Sequence, residues 1–255
     1  MANRVRERLE GGDTALCITL DFPTPAAAEY LGGLGVDALA VDLERGFPDW
    51  GRLEDVARAC AVVGVDLIAR LPVDADLIGR CLDIGVDGLE LTHVESADDI
   101  STLLRCVRYA PDGDRGLGRS RSSRFGSYPG GYQKLVASGG VPLIVIHIES
   151  RRGMEGLPAI LRPEVDVVVI GAYDLSNDLG LAGEIDRPPV QDAVAAILDS
   201  VRRAGKVVGL SASTAAGAAH ARARGARFVL AAQARLLSAS LEQLDRAVHR
   251  EGGAG

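Results

Sequence analysis

GVDALAVDLE (35–44), GVDGLELTHVE (85–95) and EVDVVVIGAYD (164–174) repeat one phrase, a Val followed by an acid and then a run of β-formers that ends in polar residues. GVDLIAR (64–70) and GARFVLAAQ (225–233) vary it. Short, nearly continuous apolar runs suit strands covered on both faces, as in a parallel sheet. ALCITLD (15–21), PLIVIHIE (142–149) and KVVGLSA (206–212) bring the strands to eight.

Segments of helical period lie between most of them: LEDVARACAVV (53–63), LIGRCLDI (77–84), VQDAVAAILDSVRRAG (190–205) and AAGAAHARARG (215–225). Gly64, Gly85, Gly205 and Gly225 follow as helix stops. Alternating strand and helix reads as βα units in a closed barrel or a doubly wound sheet. The count of eight, and the absence of an early GxGxxG at a strand–helix turn, favour an α/β fold of the (β/α)8 (TIM) barrel type. The 255 residues match the ~250 typical of one such barrel. No linker divides residues 1–255, so one domain is expected. The segment 111–138 is read as an inserted functional loop plus a helix on one rim. Disorder is expected only at the ends, 1–12 and 251–255.

A net charge of −7 argues against a nucleic-acid partner. Cys17, Cys60, Cys81 and Cys106 lack metal or redox spacing, and the first three, in apolar stretches, are expected as small buried thiols. MANRVRERLEGGD lacks a signal-peptide core, and no apolar run approaches the ~18 residues of a membrane span. A cytoplasmic protein without a membrane partner is the expectation.

In such a barrel the active site forms where the strands end. The polar residues there are Asp21, Asp42 with Glu44 and Arg45, Arg70, His93 with Glu95, His147 with Glu149, Asp174, and Ser211. Charged groups gathered in one mouth need pairing or a metal. Glu149 and Asp174, each read as ending one of two adjacent strands, could share Mg²⁺ or Mn²⁺ through oxygen-only ligation, or instead be bridged to an arginine. Arg70 could clamp a substrate carboxylate through two parallel hydrogen bonds, or form a salt bridge with Asp42 or Glu44.

At VDLERG (41–46), IARLP (68–72), CLDIGVDGL (81–89), RGLGRSRSSRFG (115–126), HIES (147–150) and IGAYDLSNDLG (170–180), the chain resembles the HpcH/HpaI aldolase family. These are metal-dependent class II pyruvate aldolases with macrophomate-synthase-like and citrate-lyase-β-like relatives. The resemblance runs roughly from Thr14 to Leu237. It implies a divalent metal, Mg²⁺ or Mn²⁺ with Co²⁺ as a further candidate, on Glu149 and Asp174. It implies that Arg70 binds the 2-oxo acid and supports the enolate oxygen, with the Gly171 and Ala172 amides receiving the substrate carboxylate. Asp83 matches an aspartate that reaches a site across a subunit boundary, which implies a homo-oligomer of hexamer or trimer type.

The chain departs from the family at the reacting centre. The family's D-x-E-H-G has Arg45 in place of its histidine, Q-x-E is His147-Ile148-Glu149, G-P-x-D-L carries Ala172 and Tyr173, and Pro-Met is Thr92-His93. Arginine cannot move a proton at neutral pH, because its pKa exceeds ~12. Arg45 could bind an anionic acceptor or steady an alkoxide, with His147, His93 or a metal-bound water as the replacement proton carrier. Asp42, Glu44 and Asp83 complete the candidate catalytic set. The expected function is a metal-dependent carbon–carbon lyase joining or splitting a 2-oxo acid and an aldehyde or other carbonyl acceptor through an enolate. Decarboxylation of an oxaloacetate-type acid, or a citrate-forming type of condensation, is the alternative, and a non-catalytic 2-oxo acid binder is the third reading. The arginines of 115–126 could recruit an anionic acceptor or make subunit ion pairs. His220 and His249 are expected to face solvent.

Overall fold

The computed structural model describes residues 3–46, 49–138 and 140–249. Eight parallel strands close on themselves in chain order: β1 (Ala15–Leu20), β2 (Ala38–Asp42), β3 (Asp66–Pro72), β4 (Gly88–Thr92), β5 (Leu143–Ile148), β6 (Val167–Ile170), β7 (Val207–Ser211) and β8 (Ala226–Ala232). Helices α1 (Arg4–Glu10), α2 (Pro25–Gly33), α3 (Trp50–Val63), α4 (Ala75–Ile84), α5 (Ala97–Val107), α6 (Gly131–Ala137), α7 (Arg151–Ile160), α8 (Ala172–Asp178), α9 (Pro188–Arg203), α10 (Ala215–Ala223) and α11 (Gln233–His249) accompany them. The (β/α)8 expectation holds. Gly64 (φ 69°) and Gly85 (φ 83°) close α3 and α4 in the left-handed region, as helix stops require.

Side chains alternate along each strand. The outward set packs on the helices in one continuous apolar core. The inward set is small: Ala15, Cys17, Ala38 and Ala40 face Ile68, Val145, Val169 and Phe228. Phe228 is fully buried, and a Cβ at Gly209 would come 2.7 Å from Val169 and 3.4 Å from Phe228. Glycine there gives the barrel room for its aromatic filler.

The repeated aspartate has a structural use at the strand starts. Asp37, Asp87 and Asp166 accept the backbone N–H of Leu16 (2.9 Å), Leu67 (3.0 Å) and Ile144 (2.8 Å), which ties β2 to β1, β4 to β3 and β6 to β5. Two of these acids, Asp37 and Asp166, together with Asp66, dock the N-terminus. Arg4 and Arg8 pair with Asp37, Arg6 with Asp166, and Val5 N–H donates to Asp66 at 2.8 Å. Val5 and Leu9 are buried in the inner core. The expected disorder of 1–12 is therefore corrected: residues 4–10 form a helix that plugs the barrel floor. Residues 251–255 lie outside the described residues.

The segment 111–138 contains a short 3₁₀ turn (Arg124–Gly126) and α6, so a loop plus a helix is found. It leaves α5 and enters β5, on the side where strands begin. Arg121 donates to the carbonyls of Ile84 (2.8 Å) and Ala57 (3.3 Å), and Ser122 N–H to that of Asp83. Within this chain its arginines therefore do not line the mouth. The four cysteines are unpaired, and Cys17, Cys60 and Cys81 are buried. No helix among the described residues is long and apolar enough to cross a membrane.

Burial lifts the Asp66 carboxyl to about 6, against the hydrogen bond from Val5 that favours its charge. The folded chain thus holds this proton more tightly than the unfolded one. That contribution to stability is full below about pH 4 and is lost as pH rises through 6, a swing of about 3 kcal/mol. Asp66→Asn, which imitates the protonated form, should match the wild type at pH 4 in urea unfolding and exceed it at pH 7 by about 1–3 kcal/mol. A stability difference independent of pH would contradict this.

Candidate active site

Arg70 is the hub of the mouth. It points inward near the end of β3 and is largely buried, and its Nη1 hydrogen-bonds Asp42 at the end of β2. Nη2 lies 3.0 Å from Glu44, and Nε lies 3.7 Å from Glu90 on β4. Burial disfavours its charge, yet Asp42, Glu90 and Glu44 raise its pKa further. The salt bridge weighed for Arg70 is thus formed, with both expected acids and an unexpected third. The other Asp42 oxygen accepts the N–H of Glu44 (2.9 Å) and Arg45 (3.1 Å), so Asp42 shapes the loop after β2 as well.

Glu149 follows β5 and is 3% exposed. Burial opposes its charge, but His147, together with the N–H and imidazole of His93, outweighs it and brings the pKa down to about 2. His93 N–H donates to Glu149 Oε1 at 2.8 Å. The His93 ring spans two acids, with Nδ1 3.1 Å from Glu149 and Nε2 2.9 Å from Glu44. Its φ of 54° is uncommon for a residue with a Cβ, and the strained bend aims both N–H and ring at carboxylates. His147 Nε2 lies 2.7 Å from Glu90, and Nδ1 lies 3.5 Å from Glu149. Burial would lower its pKa, but Glu149 and Glu90 lift it to about 9, so it is an imidazolium near neutrality.

Asp174 requires a correction. β6 ends at Ile170, and Asp174 lies in the first turn of α8, half-exposed, with Arg45 Nη2 3.4 Å away. The turn between them presses on Glu149: a Cβ at Gly171 would stand 2.5 Å from Glu149 Oε2. The Gly171 N–H donates to Ile148 O at 3.1 Å, so it is not free for a substrate carboxylate as expected, and only the Ala172 amide of that pair remains. Asp83 is exposed on α4, away from this mouth. Glu95 accepts from Ser150, Asp21 from Ala234 N–H, and Ser211 is exposed, so none of these joins the cluster. His220 and His249 face solvent as expected.

The sequence reading passed over Glu90. Its signal was a charge inside the otherwise apolar strand GLELT, where burial demands a partner. Among the described residues, the buried side-chain polar atoms without a hydrogen bond are Glu44 Oε2, Glu90 Oε2, Thr92 Oγ1 and His147 Nδ1. All four belong to this mouth, although Glu44 Oε2 keeps its ionic contact with Arg70 and His147 Nδ1 lies 3.5 Å from Glu149. Native interiors rarely leave such atoms unpaired, so their concentration here marks a place built for an occupant.

The sequence profile of the HpcH/HpaI aldolase/citrate lyase family matches residues 20–234. The chain belongs to that family. It is 33% identical over 261 residues to hydroxypyruvate/pyruvate aldolase of Deinococcus radiodurans, covering 96% of this chain and 92% of the relative. It is likewise 33% identical over 214 residues to 4-hydroxy-2-oxovalerate aldolase of Rhodococcus jostii, covering 82% and 81%. An HpcH/HpaI aldolase/citrate lyase family protein from Burkholderia cenocepacia superposes with a TM-score of 0.88 at 28% identity, over 97% of this chain and 99% of that one. As an HpcH/HpaI protein the chain is an enzyme of the aldolase type, a lyase, and the acid-rich mouth is where its chemistry belongs.

Two variants test this geometry. Gly171→Ala should leave the fold intact by circular dichroism but weaken divalent-ion binding about 10-fold or more, by pushing Glu149 aside. Unchanged affinity would contradict the close packing. In metal-free protein, His147 should titrate near pH 9 by NMR. Glu90→Gln should lower that midpoint by about one unit or more, because burial then meets less opposition.

Proposed function

We propose that the chain is a divalent-metal-dependent carbon–carbon lyase that makes the enolate of pyruvate or a close 2-oxo acid and joins it to, or splits it from, an aldehyde. The observation that carries this is Glu149: a buried carboxylate held ionised, packed against the turn that delivers a second carboxylate, Asp174. Asp42, Glu44, Glu90, Glu149 and Asp174 face Arg45, Arg70, His93 and His147 there. That surplus of acid, with polar atoms left unpaired, suits a cation.

No group of three or more His, Cys, Asp or Glu ligands converges among the described residues. Two carboxylates with substrate and water completing the shell is the arrangement Mg²⁺ favours. Mg²⁺, Mn²⁺ or Co²⁺ held by Glu149 and Asp174 would act as a Lewis acid toward the negative charge that develops on the keto oxygen. Arg70 would hold the 2-oxo acid and steady the same oxygen, its plane fixed in advance by Asp42, Glu44 and Glu90. The Ala172 amide would meet the substrate carboxylate. Asp42 keeps Arg70 and the Arg45 loop in place.

Arg45 cannot serve as the base at the acceptor oxygen. His93 is the better placed histidine, with its ring half-exposed at the mouth, whereas His147 is sealed against Glu90. Arg45 in place of histidine also supports a second reading, in which the enolate arises by decarboxylation and is then protonated or condensed. A symmetric homo-oligomer in the cytoplasm, of hexamer or trimer type with Asp83 serving a neighbour's site, completes the proposal. Leu237, Leu241, Leu244 and Val248 form an exposed apolar stripe on α11, which packs on its own chain through the partly buried Leu236, and the stripe supports such an assembly.

Pyruvate in deuterated water with Mg²⁺ or Mn²⁺ should lose its methyl proton signal. Glu149→Gln or a chelator should slow this about 100-fold or more. No exchange with any divalent ion would contradict enolate formation. Oxaloacetate consumption without an aldehyde would favour the second reading.

A further inference from the structure

One ion pair runs across the mouth. β2 and β6 stand on opposite sides of the closed sheet, yet Arg45, after β2, reaches Asp174, after β6. Its backbone is pinned by Asp42, while its guanidinium and Asp174 are 60% and 40% exposed and meet at 3.4 Å. Such a pair is weak and easily exchanged.

Beside it opens a cavity of about 330 Å³, lined by Arg45, Arg52, Asp21, Asp42 and Asp49. Its acids are already engaged: Asp21 accepts Ala234 N–H, Asp42 holds Arg70, and Asp49 caps α3 through Arg52 N–H. The cations are less committed. Arg52 is more than half exposed, with Asp49 3.8 Å from its Nε. The cavity therefore offers two guanidinium groups to an anion arriving next to Arg70.

We infer that Arg45 determines acceptor specificity by serving two anions in turn: Asp174 while no divalent ion is bound, and the carboxylate tail of an aldehyde acceptor once a divalent ion engages Asp174. The second half rests on the lyase reading; the first does not. A guanidinium and a divalent ion on one carboxylate weaken each other. An acceptor carboxylate that draws Arg45 into the cavity with Arg52 relieves that competition, so metal and anionic acceptor favour each other's binding.

Two experiments separate the halves. Mn²⁺ is titrated into metal-free protein without substrate, and the free ion is followed by electron paramagnetic resonance. Arg45→Gln should bind Mn²⁺ about two- to fivefold more tightly than wild type; equal or weaker binding overturns the competition. Condensation of pyruvate is then compared for succinic semialdehyde and butanal, four-carbon aldehydes with and without a terminal carboxylate. Arg45→Gln should cut the kcat/KM preference for the charged aldehyde about 10-fold, chiefly through KM, and Arg52→Gln should cut it by less. An unchanged preference overturns the acceptor role. Condensation with neither aldehyde overturns the lyase reading and the acceptor role together, while the Mn²⁺ titration still decides the competition for Asp174.

Discussion

Everything at the barrel mouth depends on keeping Glu149 and Glu90 charged or paired while almost wholly out of water. A lone buried carboxylate would take up a proton, and burial does push both Asp66 and Asp87 that way at the barrel floor. At the mouth the outcome is reversed for Glu149, because two histidines stand against it. Arg70 and His147 meet the same oxygen of Glu90, so the acids after β2, on β4 and after β5 form one connected charge network. Networks of this kind are strong only when every member is present.

The two ends of the barrel divide the work. At the floor, Asp37, Asp87 and Asp166 tie neighbouring strands in pairs. Each gives an oxygen to a neighbouring strand's backbone amide, and the arginines of α1 pair with Asp37 and Asp166 as well. At the mouth Asp42 and Glu149 accept backbone amides too, but there the acids converge on Arg70, His93 and His147.

The barrel was legible because each strand carries its own apolar run and several helices end in a glycine stop. The inward acids after β2 and β5 were legible because a charge that ends such a run has few other places to go. Asp174 was misplaced onto β6 because Gly171-Ala172-Tyr173 continue an apolar run that has no strand partner beyond Ile170. α1 was taken for a loose end because its charges look solvated; their partners are aspartates far away in sequence. Of the two readings of the arginines of 115–126, recruiting an acceptor at the mouth does not fit this chain, because the α5–β5 connection places them at the other end. Glu90 was missed since one acid among leucines leaves no periodic trace, although its cost if unpaired was the clue.

On the proposed reading, the mouth keeps the residues that would hold an enolate and alters the one that would handle the acceptor. Arg70, Glu149 and Asp174 stay, while Arg45 brings a fixed positive charge where a proton carrier is expected, and His93 brings an imidazole beside Glu149 and Glu44. The central claim is that Glu149 and Asp174 share one divalent ion. Anomalous scattering from crystals grown with Mn²⁺ and pyruvate tests it most directly. The account predicts a single strong peak within coordination distance of both carboxylates, with Arg45 moved off Asp174. A map with no peak between them, or with Mn²⁺ bound elsewhere while Arg45 remains on Asp174, would contradict it.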